Sequence, residues 1–592
     1  MKKLTMITLL TLISLSLSIT AETPPRQITV PLTFDAYYSY AEVVEALKAL
    51  HKAYPELTKL DVIGQSDEGR DIYAITINNP KTGPELDKPA VYADGNIHGN
   101  EIQAGEVALY MLNYLLTKYG ENEDVTEMVD RNVFYVVPIV NVDGRYHFFA
   151  DPNTDSSNRS VRLPKDDDRD GLVDEDFPDD LDGDGNICMV RKRDPLGNLK
   201  TDPEDPRLMV PVKPGELGEW TLLGVEGIDN DGDGRVNEDS EGFVDGNRNW
   251  GFDWMPQYVQ FGSGDYPFES LSIRSVANYF SERPNICVAY SMHNSGGMYL
   301  RGPSQKGLGE YPRQDIAVYD YLGKQAERMV PGYNYMIGWK DLYTTYGDAV
   351  EWMVGCNGAY GYVIELFQVA SETFKSREEE RRAKPLGVEG ELPFNQSNEF
   401  ERERLKYSDN LVMGELFKPW KPYKHPLYGD VEIGGWVKFS TRMPAKWMLK
   451  DEVHRNAMAI IFAARHTPDV TLDVFEVKEV GKNLYRVRTR LQNRKAIPTM
   501  STFAQQKKMY PKDMLKVSGS NAEVVAGGTL NDVYRDFASY KEYRPELQFV
   551  VIPGFGRVEH QFLVSGKGSI TITYEGRWAT DIKKTVELKD TD

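Results

Sequence analysis

Cysteine is nearly absent. Cys188, Cys287 and Cys356 are the only three in 592 residues, so at most one disulfide can form and cross-links do not hold this fold together. Each is expected to pack as a small apolar side chain. Long apolar runs are equally scarce. Beyond the opening MKKLTMITLLTLISLSLSITAET, no stretch reaches the roughly 18 residues of a membrane-spanning helix. Basic charge is also short, with 69 Lys and Arg against 90 Asp and Glu and a net charge of -21. Such a surface repels phosphates and anionic lipid, which excludes a general nucleic-acid binder.

The N-terminus has a Lys pair, an apolar core and a small residue at Ala21, the pattern of a signal peptide over 1–21. No cysteine lies near the cleavage point, so a lipid anchor is not expected. The mature chain is expected to be exported, periplasmic or extracellular, and monomeric.

From residue 22 to 427, helical spacing alternates with apolar strands. YYSYAEVVEALKALHKAYPE and EIQAGEVALYMLNYLLTKYG read as helices, while KPAVYADGNI, NVFYVVPIVN, ICVAYSMHN and AYGYVIELF read as buried strands. This predicts an α/β domain with a mixed, mainly parallel sheet flanked by helices. Residues 428–467 read as a connecting strand and helix. From 468 to 592 period-two strands such as VTLDVFEVKEV and GSITITYEG predict an immunoglobulin-like β-sandwich, with His560 expected at its surface.

An insertion over 151–246 is acidic and rich in glycine. DDDRDGLVDED, DLDGDGN and DNDGDGRVNED place carboxylates at alternate positions before glycines, a spacing that wraps oxygen ligands around a hard cation. The candidate calcium ligands are Asp166, Asp168, Asp170 and Asp174, then Asp180, Asp182 and Asp184, then Asp229, Asp231 and Asp233. No twelfth-position Glu follows, so these loops resemble thrombospondin type 3 or dockerin repeats more than EF-hands. Their role would be structural, a cation offsetting mutual repulsion.

ADGNIHGNE puts His98 and Glu101 three residues apart where a strand gives way to a helix. At a first helical turn, such a pair shares one face and can reach one ion. VAYSMHNSGG supplies His293 at another strand end. Two His and one carboxylate leave a zinc position open for water, as a catalytic site requires.

With these residues in place, the chain resembles the zinc carboxypeptidases of family M14 over about residues 30–420. GNIHGNE resembles the family's first ligand motif and implies His98 and Glu101 as zinc ligands, with His293 the third. MVRKRD resembles the segment with the carbonyl-polarising arginine, which implies Arg191; Arg193, Arg159 and Arg162 are alternatives for that role. DGNRNW implies that Asn247 and Arg248 grip the substrate's C-terminal carboxylate. YTTYGDAVEW implies Tyr343 as the mobile tyrosine, and YGYVIELF implies Glu365 as general base. By spacing, Asp348, Val350 and Val363 line the specificity pocket; the two valines favour an apolar terminal residue, and the alternatives for Asp348 are that it favours a basic one or faces solvent. Asn100 stands where digestive members have a basic side chain.

The resemblance implies a zinc metallocarboxypeptidase acting on peptides or proteins with free C-termini. Two other classes remain open at this stage: a zinc amidohydrolase acting on cell-wall peptides or other amides, and a non-catalytic calcium-dependent adhesion protein. Retention of Glu365 beside three ligands counts against the last.

Overall fold

A computed structural model describes residues 27–166, 169–213, 215–367, 398–440 and 442–589. The expected signal peptide, Asp168 and most of the charged stretch after residue 367 lie outside the described residues.

The first unit is built on an eight-stranded sheet. Its strands are β1 (Thr58–Gln65), β2 (Asp71–Ile77), β3 (Ala90–Gly95), β4 (Val133–Val137), β5 (Ile286–Asn294), β6 (Met298–Arg301), β7 (Asn334–Ile337) and β8 (Tyr360–Leu366), in the order β1-β2-β4-β3-β5-β8-β6-β7. The central four, β4, β3, β5 and β8, run parallel. Every residue of β3, β4 and β5 is buried, which is why these segments read as continuous apolar runs without alternation.

Helices cover the sheet. They include α1 (Tyr40–Ala53), α2 (Gln103–Lys118), α3 (Leu271–Ser281), α4 (Arg313–Met329), α5 (Ala349–Asn357) and α6 (Lys446–Arg465). Local signals set their starts. Ser39 and Glu42 form a reciprocal capping box on α1, and Asp348 caps α5 through the Glu351 amide.

Two parts of the expected organisation need correction. The segment 428–467 is no connector, because Leu449, Val453, Ala457 and Ile460 of α6 are fully buried in the same core as the main sheet. The insertion is also more than loops. Its strands Met189–Arg193, Leu199–Thr201, Met209–Pro211 and Trp220–Val225 join Phe417–His425 and Gly429–Trp436 in one antiparallel six-stranded sheet. A short stretch such as MVRKR carries little strand signal alone; pairing with Gly429–Trp436, more than 200 positions away, organises it.

The C-terminal unit stacks a five-stranded on a four-stranded antiparallel sheet, a β-sandwich. Its core includes Val487, Leu515, Phe562, Ile572 and Tyr574. His560 is buried there, not at the surface, and burial drives its imidazole pKa down to about 4. Cys188 and Cys287 are buried as expected, whereas Cys356 is exposed.

Candidate metal centre and active site

The three expected zinc ligands meet at the ends of β3 and β5. His98 Nδ1 lies 3.0 Å from Glu101 Oε1, and His293 Nδ1 lies 3.0 Å from Glu101 Oε2 and 3.2 Å from His98 Nδ1. All three side chains are buried. Two imidazole Nδ1 atoms facing each other beside a carboxylate make a donor set with a shared focus, and nitrogen and oxygen donors suit Zn²⁺. The residues present therefore fit the ion.

The turn carrying His98 and Glu101 precedes the helix, since α2 begins at Gln103, and other groups hold it. Asn96 adopts a left-handed backbone (φ 58°) and donates its amide to the carbonyls of His98 and Gly99. Gly99 is packed so closely that a Cβ would sit 2.3 Å from the Asn158 carbonyl oxygen. Arg145, fully buried and paired with Glu106 at 2.6 Å, donates to Asn96 Oδ1 and the Ile102 carbonyl. A buried ion pair thus fixes the ligand turn.

Asp245, which sequence reasoning missed, accepts from His98 Nε2 at 2.8 Å and so orients that ring and sets its tautomer. Burial alone would raise its pKa, but His98, Arg159 and Arg248 together hold it well below the usual carboxylate range. It opens the DGNRNW stretch, so its place beside the assigned Asn247 and Arg248 was the available signal.

A cavity opens beside the trio, lined by His98, Arg159, Asn247, Arg248, Tyr343 and Glu365 together with Leu300, Arg301, Leu342, Val350 and Val363. Glu365 is level with His293 in the β8–β5 register. In β8 the half-buried positions Val363 and Glu365 alternate with buried Tyr362 and Ile364, so this strand turns one face to the cavity. Burial and the Glu101 carboxylate push the Glu365 carboxyl up to about 7. Arg248 is buried and donates to the Asn247 carbonyl at 2.7 Å; Asn247 Oδ1 accepts from the Ala349 amide. Tyr343 follows the wide turn Gly338–Leu342 and is 42% exposed at the rim. Asp348 also lines the cavity, but its carboxylate accepts from the Glu351 amide and the Thr345 hydroxyl.

Arg191 is the expectation the structure overturns. Its guanidinium is sandwiched between Trp220 and Trp420, at 3.9 and 4.1 Å from their ring centroids, and bonded to Glu432. The insertion's sheet has taken that strand away from the cavity. Arg159 stands at the site instead, its Nη1 3.0 Å from Glu101 and its Nη2 3.3 Å from Asp245. Arg162 pairs with Glu68.

Of the acidic-loop residues, the structure gathers some and separates others. Asp229, Asp231 and Asp233 converge; Asp231 also meets Asp170 and Glu175; and Asp180 and Asp182 meet Glu226. Glu226 is buried, and burial with Asp182 and Asp180 pushes its carboxyl up to about 7. Asp184 instead pairs with Lys418, and Asp166 accepts from the Arg169 and Gly171 amides. Asp174 accepts from the Lys165 amide. Neither Glu175 nor Glu226 falls within the alternate-position spacing, so both were missed.

A mainly parallel α/β sheet with a buried two-His, one-Glu centre at its strand ends defines the class, a metallopeptidase-like domain. Residues 43–188 match the zinc carboxypeptidase family, Peptidase M14. This stretch contains His98, Glu101 and Arg159, while His293 and Glu365 lie beyond it. Residues 469–587 match a domain of unknown function, DUF8731. The chain is 37% identical to human (Homo sapiens) carboxypeptidase D over 109 residues, which are 18% of this chain and 8% of that protein. It is 31% identical to carboxypeptidase B of Astacus astacus over 129 residues, 22% of this chain and 40% of that one. The matches thus span well under two thirds of these relatives' lengths. Among solved structures, carboxypeptidase A from Helicoverpa armigera aligns with a TM-score of 0.40 and 19% identity, covering 65% of this chain and 74% of that one.

Proposed function

We propose that this protein is an exported zinc carboxypeptidase that removes the C-terminal residue of peptides or proteins. The observation that carries the reading is the convergence of His98 Nδ1, Glu101 and His293 Nδ1 beside a cavity whose walls hold both Glu365 and Arg248. A bound zinc supplies a Lewis acid and acidifies water. Arg248, with a planar fork, and Asn247 bind the terminal carboxylate, while Tyr343 at the rim closes over it. Glu365 takes a proton from the attacking water and delivers it to the leaving amine. Arg159, in place of Arg191, donates to the oxyanion as it forms.

Leu300, Leu342, Val350 and Val363 form apolar walls, and the Asp348 carboxylate is committed to capping α5, which supports preference for an apolar terminal residue. The convergence of Asp180, Asp182 and Glu226 and of Asp229, Asp231 and Asp233 supports calcium as a structural cation in the insertion. Export follows the N-terminal pattern, and among the described residues no helix is long and apolar enough to cross a membrane.

The test is incubation of the mature chain with a mixed peptide library, read by mass spectrometry beside Glu365→Gln, with elemental analysis for zinc. Single-residue C-terminal losses that disappear in the variant and after chelation are expected. Bound zinc with no trimming would move the reading to other amides, and absence of zinc would remove the metal assignment.

A further inference from the structure

Among the described residues, no lysine or arginine pairs with the carboxylate of Asp94, which is 0% exposed in the all-buried strand β3. Its Oδ1 accepts from the Ser291 hydroxyl at 2.7 Å, straight across the parallel β3–β5 pairing. Its Oδ2 is buried with no hydrogen-bond partner among the described residues. Burial pushes its carboxyl pKa up; the Ser291 and Tyr92 hydroxyls act against that, and so does one positive group, the His293 imidazole. A carboxylate taken out of water is costly unless its charge has a partner.

Ser291 carries the contact on to the metal centre. Its Oγ lies 3.5 Å from His293 Nε2, the long limit of a hydrogen bond, two residues along the same strand and on the same face. His293 turns Nδ1 to the trio, so with Nδ1 as the metal donor the ring proton sits on Nε2 and calls for an acceptor. The other near group, Asn247 Nδ2 at 3.4 Å, is itself a donor, because Asn247 Oδ1 is taken by the Ala349 amide. Ser291 Oγ is the acceptor left, and its own hydrogen goes to Asp94. The polarity of the chain from His293 to Ser291 to Asp94 is therefore set from end to end. Asp245 backs His98 directly at 2.8 Å; the acid behind His293 stands one hydroxyl away.

We propose that Ser291 and Asp94 are positioning residues that hold His293 in its Nε2-protonated form and strengthen Nδ1 as a metal donor. This rests on the metal assignment in the carboxypeptidase reading above. A negative charge at the far end of the chain draws the Nε2 proton outward and leaves more electron density on Nδ1. The carboxylate in turn faces a positive centre when the metal is held, and is an uncompensated buried charge when it is not. Asp94 thus has effects of opposite sign: it raises metal affinity and lowers the stability of the metal-free chain. A residue that only pinned β3 to β5 would raise stability with or without metal.

Zinc affinity, read by competition with a chelator, and melting of the zinc-free chain at about pH 8, where a carboxyl is charged, separate the two roles. Asp94→Asn keeps the shape and removes the charge. Its zinc Kd should rise about 10- to 100-fold, the usual effect of losing a residue behind a metal-bound imidazole, while the zinc-free variant melts no lower than the zinc-free wild type. Ser291→Ala should weaken zinc to a similar degree. Because the two residues act in series, the double variant should lose no more than the larger single loss. An Asp94→Asn chain that melts lower without zinc and keeps the wild-type zinc Kd would overturn the relay, as would losses that multiply in the double variant; either result leaves the carboxypeptidase reading standing. Should Asp94→Asn fail to fold, Ser291→Ala decides alone, and a zinc Kd within about twofold of the wild type overturns the relay. A wild type that holds no zinc would overturn the metal assignment and the relay together.

Discussion

At the scale of single residues, Arg159, an alternative for the carbonyl-polarising part, stands beside the trio, while Arg191, the first expectation, is held between Trp220 and Trp420. Arg159→Ala should lower kcat by about 10²–10³ with zinc retained, the usual cost of losing an oxyanion donor. Arg191→Ala should leave kcat within a few-fold and instead lower stability by about 1–3 kcal/mol, because it empties the slot between Trp220 and Trp420 and strands Glu432. Steady-state kinetics beside thermal melts of both variants decide this, and the reverse pattern would restore Arg191 to the site.

Glu351 behind the cavity makes a second prediction at this scale. Burial, then the Asp348 carboxylate, raise its pKa from the ordinary 4.5 to about 8, and Tyr311 donates to it at 2.5 Å. Between those values the folded chain keeps a proton that the unfolded chain releases. Stability from this group therefore falls as pH rises through the window. Melting temperatures at about pH 5 and about pH 8 should differ less in Glu351→Gln than in the wild type; an unchanged difference would refute the assignment.

Among secondary-structure elements, the helix caps and strand periods were legible because they are local. The Ser39 and Glu42 capping box and the alternating burial of Ser569–Glu575 follow from neighbours a few residues away. Contacts between elements were not. Asp315 in α4 accepts from the Thr502 and Phe503 amides at the start of the short helix Thr502–Lys507, and from the Tyr360 hydroxyl in β8. It is thus a cap supplied by an element nearly 190 residues away. Asp315→Ala should cost about 2–3 kcal/mol, read by denaturant unfolding, because it leaves three donors unpaired. A change below about 0.5 kcal/mol would mean the cap is not needed.

For the whole molecule, the C-terminal unit is fastened to the first. Trp578 and Ile497 are fully buried within the core of the α/β unit. Arg577 donates to the Pro284 carbonyl and to Asn357 Oδ1, and Ser501 to the Gly358 carbonyl. A chain ending at residue 468 loses these groups and exposes the apolar surface they cover. It should melt several degrees lower and bind a hydrophobic dye, and a truncated chain with an unchanged melting temperature would refute this coupling.

By itself the sequence determined what depends on short-range order: buried parallel strands, amphipathic and capped helices, and the His98–Glu101 pair three residues apart. His293 followed from its strand end; the family resemblance extended that to Glu365, Asn247 and Arg248, and all of these surround one cavity or its metal trio. Only the tertiary structure decided which arginine stands at the site, that Asp245 backs His98, that Glu226 joins Asp180 and Asp182, and that Arg442 reaches Glu101 from across the chain. The physical reason is range. A carboxylate, imidazole or guanidinium acts over a few ångströms in space, and the packing of two sheets and α6 sets those distances between residues hundreds of positions apart.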